Sequence, residues 1–91
     1  MENNTELKVI ILDSSSIDMI EVPNVKIVRI KSDKYNLLIM KDYWPVVGEI
    51  NGSVIIEAQE SIKYDKLEGF FALSHNIFHL IIKELGDNKN E

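Results

Sequence analysis

Cysteine is absent from this chain of 91 residues, which excludes disulfides and thiolate metal sites. Glycine occurs four times and always singly, so no Gly-rich loop can cradle a phosphate. Cations are in the minority: 10 Lys and Arg against 15 Asp and Glu leave a net charge of −5. That balance excludes a sequence-independent grip on a nucleic-acid backbone. No apolar run approaches the ~18 residues of a membrane helix. The first residues, MENNTE, are acidic and polar, the wrong character for a signal peptide. The expectation is a cytoplasmic protein, in which the two Asn-x-Ser/Thr matches, at Asn3 and Asn51, are accidental.

What is present is aliphatic. A hydrophobic fraction of 45% belongs to a folded chain, and this length makes one domain, residues 1–91. A chain of this size buries about 60–65% of its unfolded surface. The folded part is expected at 7–85, with polar tails at 1–6 and 86–91 that fray.

Short β-branched runs separated by turn residues organise the chain. Residues 7–12, LKVIIL, read as a buried strand, and Ser14-Ser15-Ser16 as a turn. Residues 17–22 read as a weaker strand stopped by Pro23-Asn24. In residues 25–30, Val25, Ile27 and Arg29 alternate with Lys26, Val28 and Ile30. That pattern suits a strand covered on one face and meeting a partner on the other. Residues 32–36 form a polar turn, 37–40 are apolar, and Pro45 ends or edges a strand because it lacks a ladder donor. Val46, Val47 and Ile50 are core candidates, and Asn51-Gly52 is the strongest hairpin-turn dipeptide. Residues 53–58 and 62–67 read as strands around Gln59-Glu60-Ser61. Residues 70–85 carry both helical and strand spacing, and periodicity alone does not decide between them. The fold class is all-β: a sandwich or flattened barrel of about eight to ten short strands.

The stretch from Lys31 to Ile56, KSDKYNLLIMKDYWPVVGEINGSVII, resembles the centre of the epsilon subunit of rotary ATP synthases. The order is the same: polar loop, short apolar strand, an aromatic-proline corner at Tyr43-Trp44-Pro45, an apolar pair, then a Gly turn and an apolar strand. Leu67-Glu68-Gly69-Phe70-Phe71-Ala72-Leu73, followed by an Asn-containing turn and a second apolar strand, is similar to that family's later hairpin. The resemblance covers residues 7–84 and makes 70–85 two strands joined at Ser74-His75-Asn76. It departs from the family where Tyr35 and Leu38 replace the usual glycines and Tyr43-Trp44 replace His-Ala. The family's C-terminal helical hairpin is expected to be missing.

The resemblance implies a non-catalytic subunit of the central stalk, packing on the gamma subunit and the ring of c subunits at the inner face of the membrane. Carried over residue by residue, Asp33, Lys34, Tyr35 and Asn36 match the loop facing the ring. Lys41, Asp42, Tyr43, Trp44 and Pro45 match the segment shaping the same end and the gamma contact. The alternative is an epsilon-like sandwich repurposed as an interaction or regulatory module, with a homo-oligomer possible.

No cofactor or metal is expected, and no catalytic residue is assigned. His75 and His79 would sit one turn apart on a helix, the spacing of a metal pair, but no acidic third ligand stands in a motif with them. The serines at 14–16 lack a G-x-S-x-G setting. Tyr35, Tyr43 and Trp44 could stack bases, yet Lys31, Lys34 and Lys41 are offset by Asp33 and Asp42. Trp44 keeps two readings, a docking anchor or a lid packed over the end of the sandwich.

Overall fold

The computed structural model describes residues 6–16 and 18–86. The tails expected to fray lie outside the described residues apart from positions 6 and 86, as does Ile17. Seven strands occur among the described residues: β1 (Leu7–Asp13), β2 (Met19–Val25), β3 (Ile27–Ser32), β4 (Asn36–Ile39), β5 (Val46–Glu57), β6 (Ser61–Ser74) and β7 (Ile77–Leu85). They form one sheet in the order β2-β1-β7-β6-β5-β3-β4. Every pairing is antiparallel except β1 with β7.

The two longest strands turn this sheet into two layers. The first half of β5, Val46 to Asn51, pairs with Glu68 to Leu73 of β6, and that half of β6 pairs with β7. The second half of β5 pairs with β3 on one side and with the start of β6 on the other. One layer is therefore β2-β1-β7-β6-β5 and the other is β6-β5-β3-β4, with β5 and β6 running through both. The register shifts where the layers meet: between Gly52 and Val54 the extra residue falls on β6, and between Glu68 and Gly69 it falls on β7. Such bulges bend a strand and raise its twist. Glycine is required at both: a Cβ on Gly52 would stand 1.9 Å from the Lys31 carbonyl oxygen, and one on Gly69 2.1 Å from that of Ile81.

The folded-over sheet encloses a single core. Val9 and Ile11, Val28 and Ile30, Ile39, Val54 and Ile56, Phe71 and Leu73, and Phe78 and Leu80 are buried in one cluster to which every strand contributes. Phe71 and Phe78 stack at its centre with ring centroids 5.4 Å apart. Each such side chain contributes roughly 1.5–3 kcal/mol, which is what closing the sheet gains over leaving it flat.

The all-β sandwich or flattened barrel holds, with three corrections. The strands are seven and longer than the expected eight to ten. Asn51-Gly52 is not a hairpin turn; it lies inside β5, where partners on β3 and β6 hold the chain extended and the glycine serves close approach instead. Pro23-Asn24 does not stop β2, because β2 is an edge strand and Pro23 needs no ladder partner on its open side. Asn24 takes φ 52° at the irregularity between the Leu7–Val25 and Val9–Val22 pairs. The hairpin within 70–85 is as the family pattern implied. β6 ends at Ser74, β7 begins at Ile77, and His75 and Asn76 sit between them at φ 52° and 64°.

Candidate interaction surface

Alternation sends every second residue of a strand to the outer face. On most outer positions of the β3-β4 layer these residues are polar: Arg29 and Lys31 are exposed, and Arg29 Nε holds Glu57 Oε2 at 2.7 Å. The outer face of the five-stranded layer is different. Met19 pairs with Leu12, Leu12 with Ile81, Ile81 with Phe70, and Phe70 with Glu49. The next row is Glu21, Ile10, His79, Ala72 and Val47. Met19, Leu12, Ile81, Phe70 and Val47 are all exposed, Phe70 to 44% and Val47 to 75%. A row of large apolar side chains crossing four strands is the kind of contiguous patch that marks a binding surface. In residues 25–30, expected to be partly apolar on both sides, Val28 and Ile30 are buried and Ile27 is half-buried. The strands apolar on both sides are β1 and β7, and β3 points Arg29 and Lys31 outward.

The corner after β4 lies at the rim of this face. Met40 accepts a turn hydrogen bond from the Tyr43 amide at 3.2 Å, and Asp42 takes φ 65°. A reciprocal pair of hydrogen bonds locks the corner to the β6–β7 hairpin. The Asp42 amide donates to Asn76 Oδ1 at 2.6 Å, and Asn76 Nδ2 donates to Asp42 Oδ1 at 3.1 Å. Asn76 is buried to 7% exposure and its carbonyl also accepts from the Lys8 amide at 2.9 Å. The hairpin turn, the start of β1 and the corner are thus one fixed end of the molecule. Trp44 projects from it, 82% exposed. The reading of Trp44 as a lid packed over the sandwich end is therefore wrong, because a packing tryptophan would have lost most of its accessible surface. Three residues after Trp44, past Pro45 and Val46, Val47 begins the apolar face.

The polar turn 33–36 is elsewhere. It stands at the opposite end of β4 from the corner, so the structure does not bring the two expected segments to the same end. Its position is set by β5: the Asp33 amide donates to the Asn51 carbonyl at 3.1 Å, and the Asn51 amide to Ser32 Oγ at 3.0 Å. The Tyr35 hydroxyl donates to the Glu49 carbonyl. Burial, then the Glu49 and Asp33 carboxylates, push that hydroxyl's pKa up. Lys34 and Asn36 are exposed on the turn, as are Lys41 and Pro45 at the corner, while Tyr43 is half-buried.

The two histidines diverge. His75 occupies the hairpin turn, with its Nδ1 2.9 Å from Ser74 Oγ, and His79 lies on the outer face of β7. Among the described residues no group of three His, Asp or Glu side chains gathers as a metal site. Asp13 accepts from the Ser15 amide at 3.0 Å and from its hydroxyl at 2.8 Å, which holds its carboxyl below the ordinary value.

Sequence reasoning missed Leu12, Met19, Phe70 and Ile81 as surface residues. The signal was there: in IFHLIIKEL and LKVIIL both parities are apolar, more than one buried face needs.

No protein-family model matches the sequence, and comparison with curated proteins gives no match. Solved structures do share the fold. A chain of the Tetrahymena thermophila mitochondrial ATP synthase, in its central stalk and c-ring portion, superposes with a TM-score of 0.76. That similarity has 11% identity and covers 94% of this chain and 69% of the other. A chain of the Euglena gracilis mitochondrial ATP synthase, from its OSCP/F1/c-ring portion, gives a TM-score of 0.75 at 11% identity. It is covered over 56% of its length, against 94% of this chain, so this chain spans little more than half of it.

Proposed function

We propose that this chain is a non-catalytic, epsilon-like subunit of the central stalk of a proton-translocating ATP synthase. The outer face of the five-stranded layer, with Trp44 at its rim, packs on the gamma subunit. The turn at Asp33, Lys34, Tyr35 and Asn36 meets the c ring. The observation carrying this reading is the apolar row Met19, Leu12, Ile81 and Phe70 on a fold shared with chains of ATP synthase stalk assemblies. Leaving such side chains in water costs free energy that a protein partner recovers. Binding then comes from desolvation, since a net charge of −5 offers no broad attraction to a surface of the same sign. The work is mechanical: a rigid sandwich clamps the rotor shaft at one surface and the ring at another. Such a subunit resides at the inner face of the membrane, and among the described residues no helix is long and apolar enough to cross one.

Purification of the full chain with the gamma subunit tests the reading. The wild type is expected to co-purify, and Phe70→Asp and Ile81→Asp to remain folded and lose the partner. Absence of gamma binding by the wild type would move the assignment to the repurposed interaction module, and self-association lost in Phe70→Asp would identify a second copy as its occupant.

A further inference from the structure

A titratable side chain stands in the middle of the apolar face. His79 pairs across to Ile10 of β1 on one side and to Ala72 of β6 on the other. Along its own strand the outward neighbours are Ile77 and Ile81. It is half-buried, and makes no hydrogen bond or ion pair with the described residues.

The charged groups around it leave it without a counter-ion. From β1 the flanking outward residues are Lys8 and Leu12, and from β6 they are Phe70 and Ser74. One strand further out, β2 brings Glu21, whose carboxylate is engaged by Lys8 Nζ at 3.9 Å. On the other side β5 brings Val47 opposite Ala72 and Glu49 opposite Phe70. Further along β7 the next charge is Lys83, another cation.

We propose that His79 makes this face a proton-sensitive docking surface, which takes its protein partner with the imidazole neutral and releases it when the imidazole is protonated. The inference rests on the docking reading given above. A partner that covers Phe70, Ile81 and Leu12 removes water from His79 as well. A neutral imidazole tolerates that environment. An imidazolium there would be a desolvated charge with no carboxylate among its outward neighbours on β1, β6 and β7, which is strongly unfavourable. Histidine is the side chain whose ordinary titration spans the mildly acidic range. Binding and protonation therefore exclude one another, and affinity falls as the solution is made mildly acidic.

The test is the affinity of the full chain for the gamma subunit at pH 8 and pH 5.5, with circular dichroism confirming the fold at both. The wild type is expected to bind about tenfold more weakly at pH 5.5. His79→Gln, which cannot carry the charge, is expected to bind with little change between the two. His75→Gln is expected to keep the wild-type dependence, because His75 lies in the hairpin turn and not on the face. A wild type insensitive to pH, or a His79→Gln variant that keeps the full loss, overturns the proton switch and leaves the docking reading standing. Failure of the wild type to bind gamma even at pH 8 overturns both together.

Discussion

Tyr35 shows how one side chain can tie two structural roles. Its hydroxyl donates to the Glu49 carbonyl and so fastens the polar turn to β5. Tyr35→Phe is expected to cost about 1 kcal/mol in denaturant unfolding at neutral pH, the value of a typical lost hydrogen bond. The pH dependence has a definite sign. The folded pKa is raised, by burial first and by Glu49 and Asp33 after it. Stability from this group is present below the unfolded tyrosine value, ~10, and is lost as pH rises through the folded value. Tyr64 shifts the same way, through burial and the Asp13 carboxylate. Unfolding curves above pH 10 should show this loss in the wild type and a smaller one in Tyr35→Phe; equal slopes in the two would remove the role assigned to Tyr35. Trp44 makes the contrast. At 82% exposure its truncation to alanine should leave the melting temperature nearly unchanged. As an anchor it should weaken gamma binding by about 2 kcal/mol, or roughly thirtyfold. Unchanged binding in both Trp44→Ala and Tyr43→Ala would take the corner out of the interface.

At the scale of the element, the decisive features are the bends in β5 and β6 and the latch at the hairpin. Gly52→Ala and Gly69→Ala each drive a methyl group against a backbone carbonyl, which no side-chain rotation can relieve. Each is expected to destabilise by roughly 1–3 kcal/mol or more, read as a lower melting temperature. Tolerance of alanine at both would mean that the layers need no close approach there. Asn76 combines a positive φ with the reciprocal bonds to Asp42. Asn76→Gly keeps the backbone conformation and removes the latch, whereas Asn76→Ala loses both. Thermal unfolding should rank them wild type, then glycine, then alanine, with the alanine variant about 1–3 kcal/mol below wild type. An alanine variant as stable as wild type would show that the corner holds without this pair.

For the whole molecule, the asymmetry between its two outer faces matters most. One layer presents Arg29, Lys31 and Glu57 to water, and the other presents Met19, Leu12, Ile81 and Phe70. That difference in composition supports the docking proposal. Phe70→Asp should abolish partner binding while the far-ultraviolet spectrum stays strand-dominated, because Phe70 lies outside the core cluster. Loss of the fold in that variant would instead make Phe70 a packing residue. The isolated chain is expected to hydrolyse no ATP and to bind no zinc through His75 and His79 jointly, since those side chains lie in a turn and on a strand face. Stoichiometric zinc after metal-free purification, lost in His79→Ala, would contradict this.

Local chemistry settled what local chemistry can reach. A β-branched run set β1, and Asn76 suits the turn between β6 and β7 because an Asn accepts positive φ at little cost, but local spacing alone left 70–85 open between helix and hairpin. The absence of cysteine, of clustered cations and of a Gly-rich loop excluded whole classes of chemistry before any fold was known. Strand and turn spacing gave the all-β class, and the resemblance to epsilon subunits decided 70–85 for the hairpin, while the exposure of Trp44 was left to the tertiary structure to decide. The rest depended on neighbours distant in sequence. Whether Asn51-Gly52 turns or runs straight is decided by β3 and β6 on either side of it, and whether Pro23 ends a strand by β2 lying at an edge. Ile81 and Ile82 are the same residue type side by side, yet one faces solvent and the other the core, because the strand register assigns them to opposite faces. Only when β5 and β6 bend the sheet over itself does one apolar parity become a core and the other an unpartnered surface.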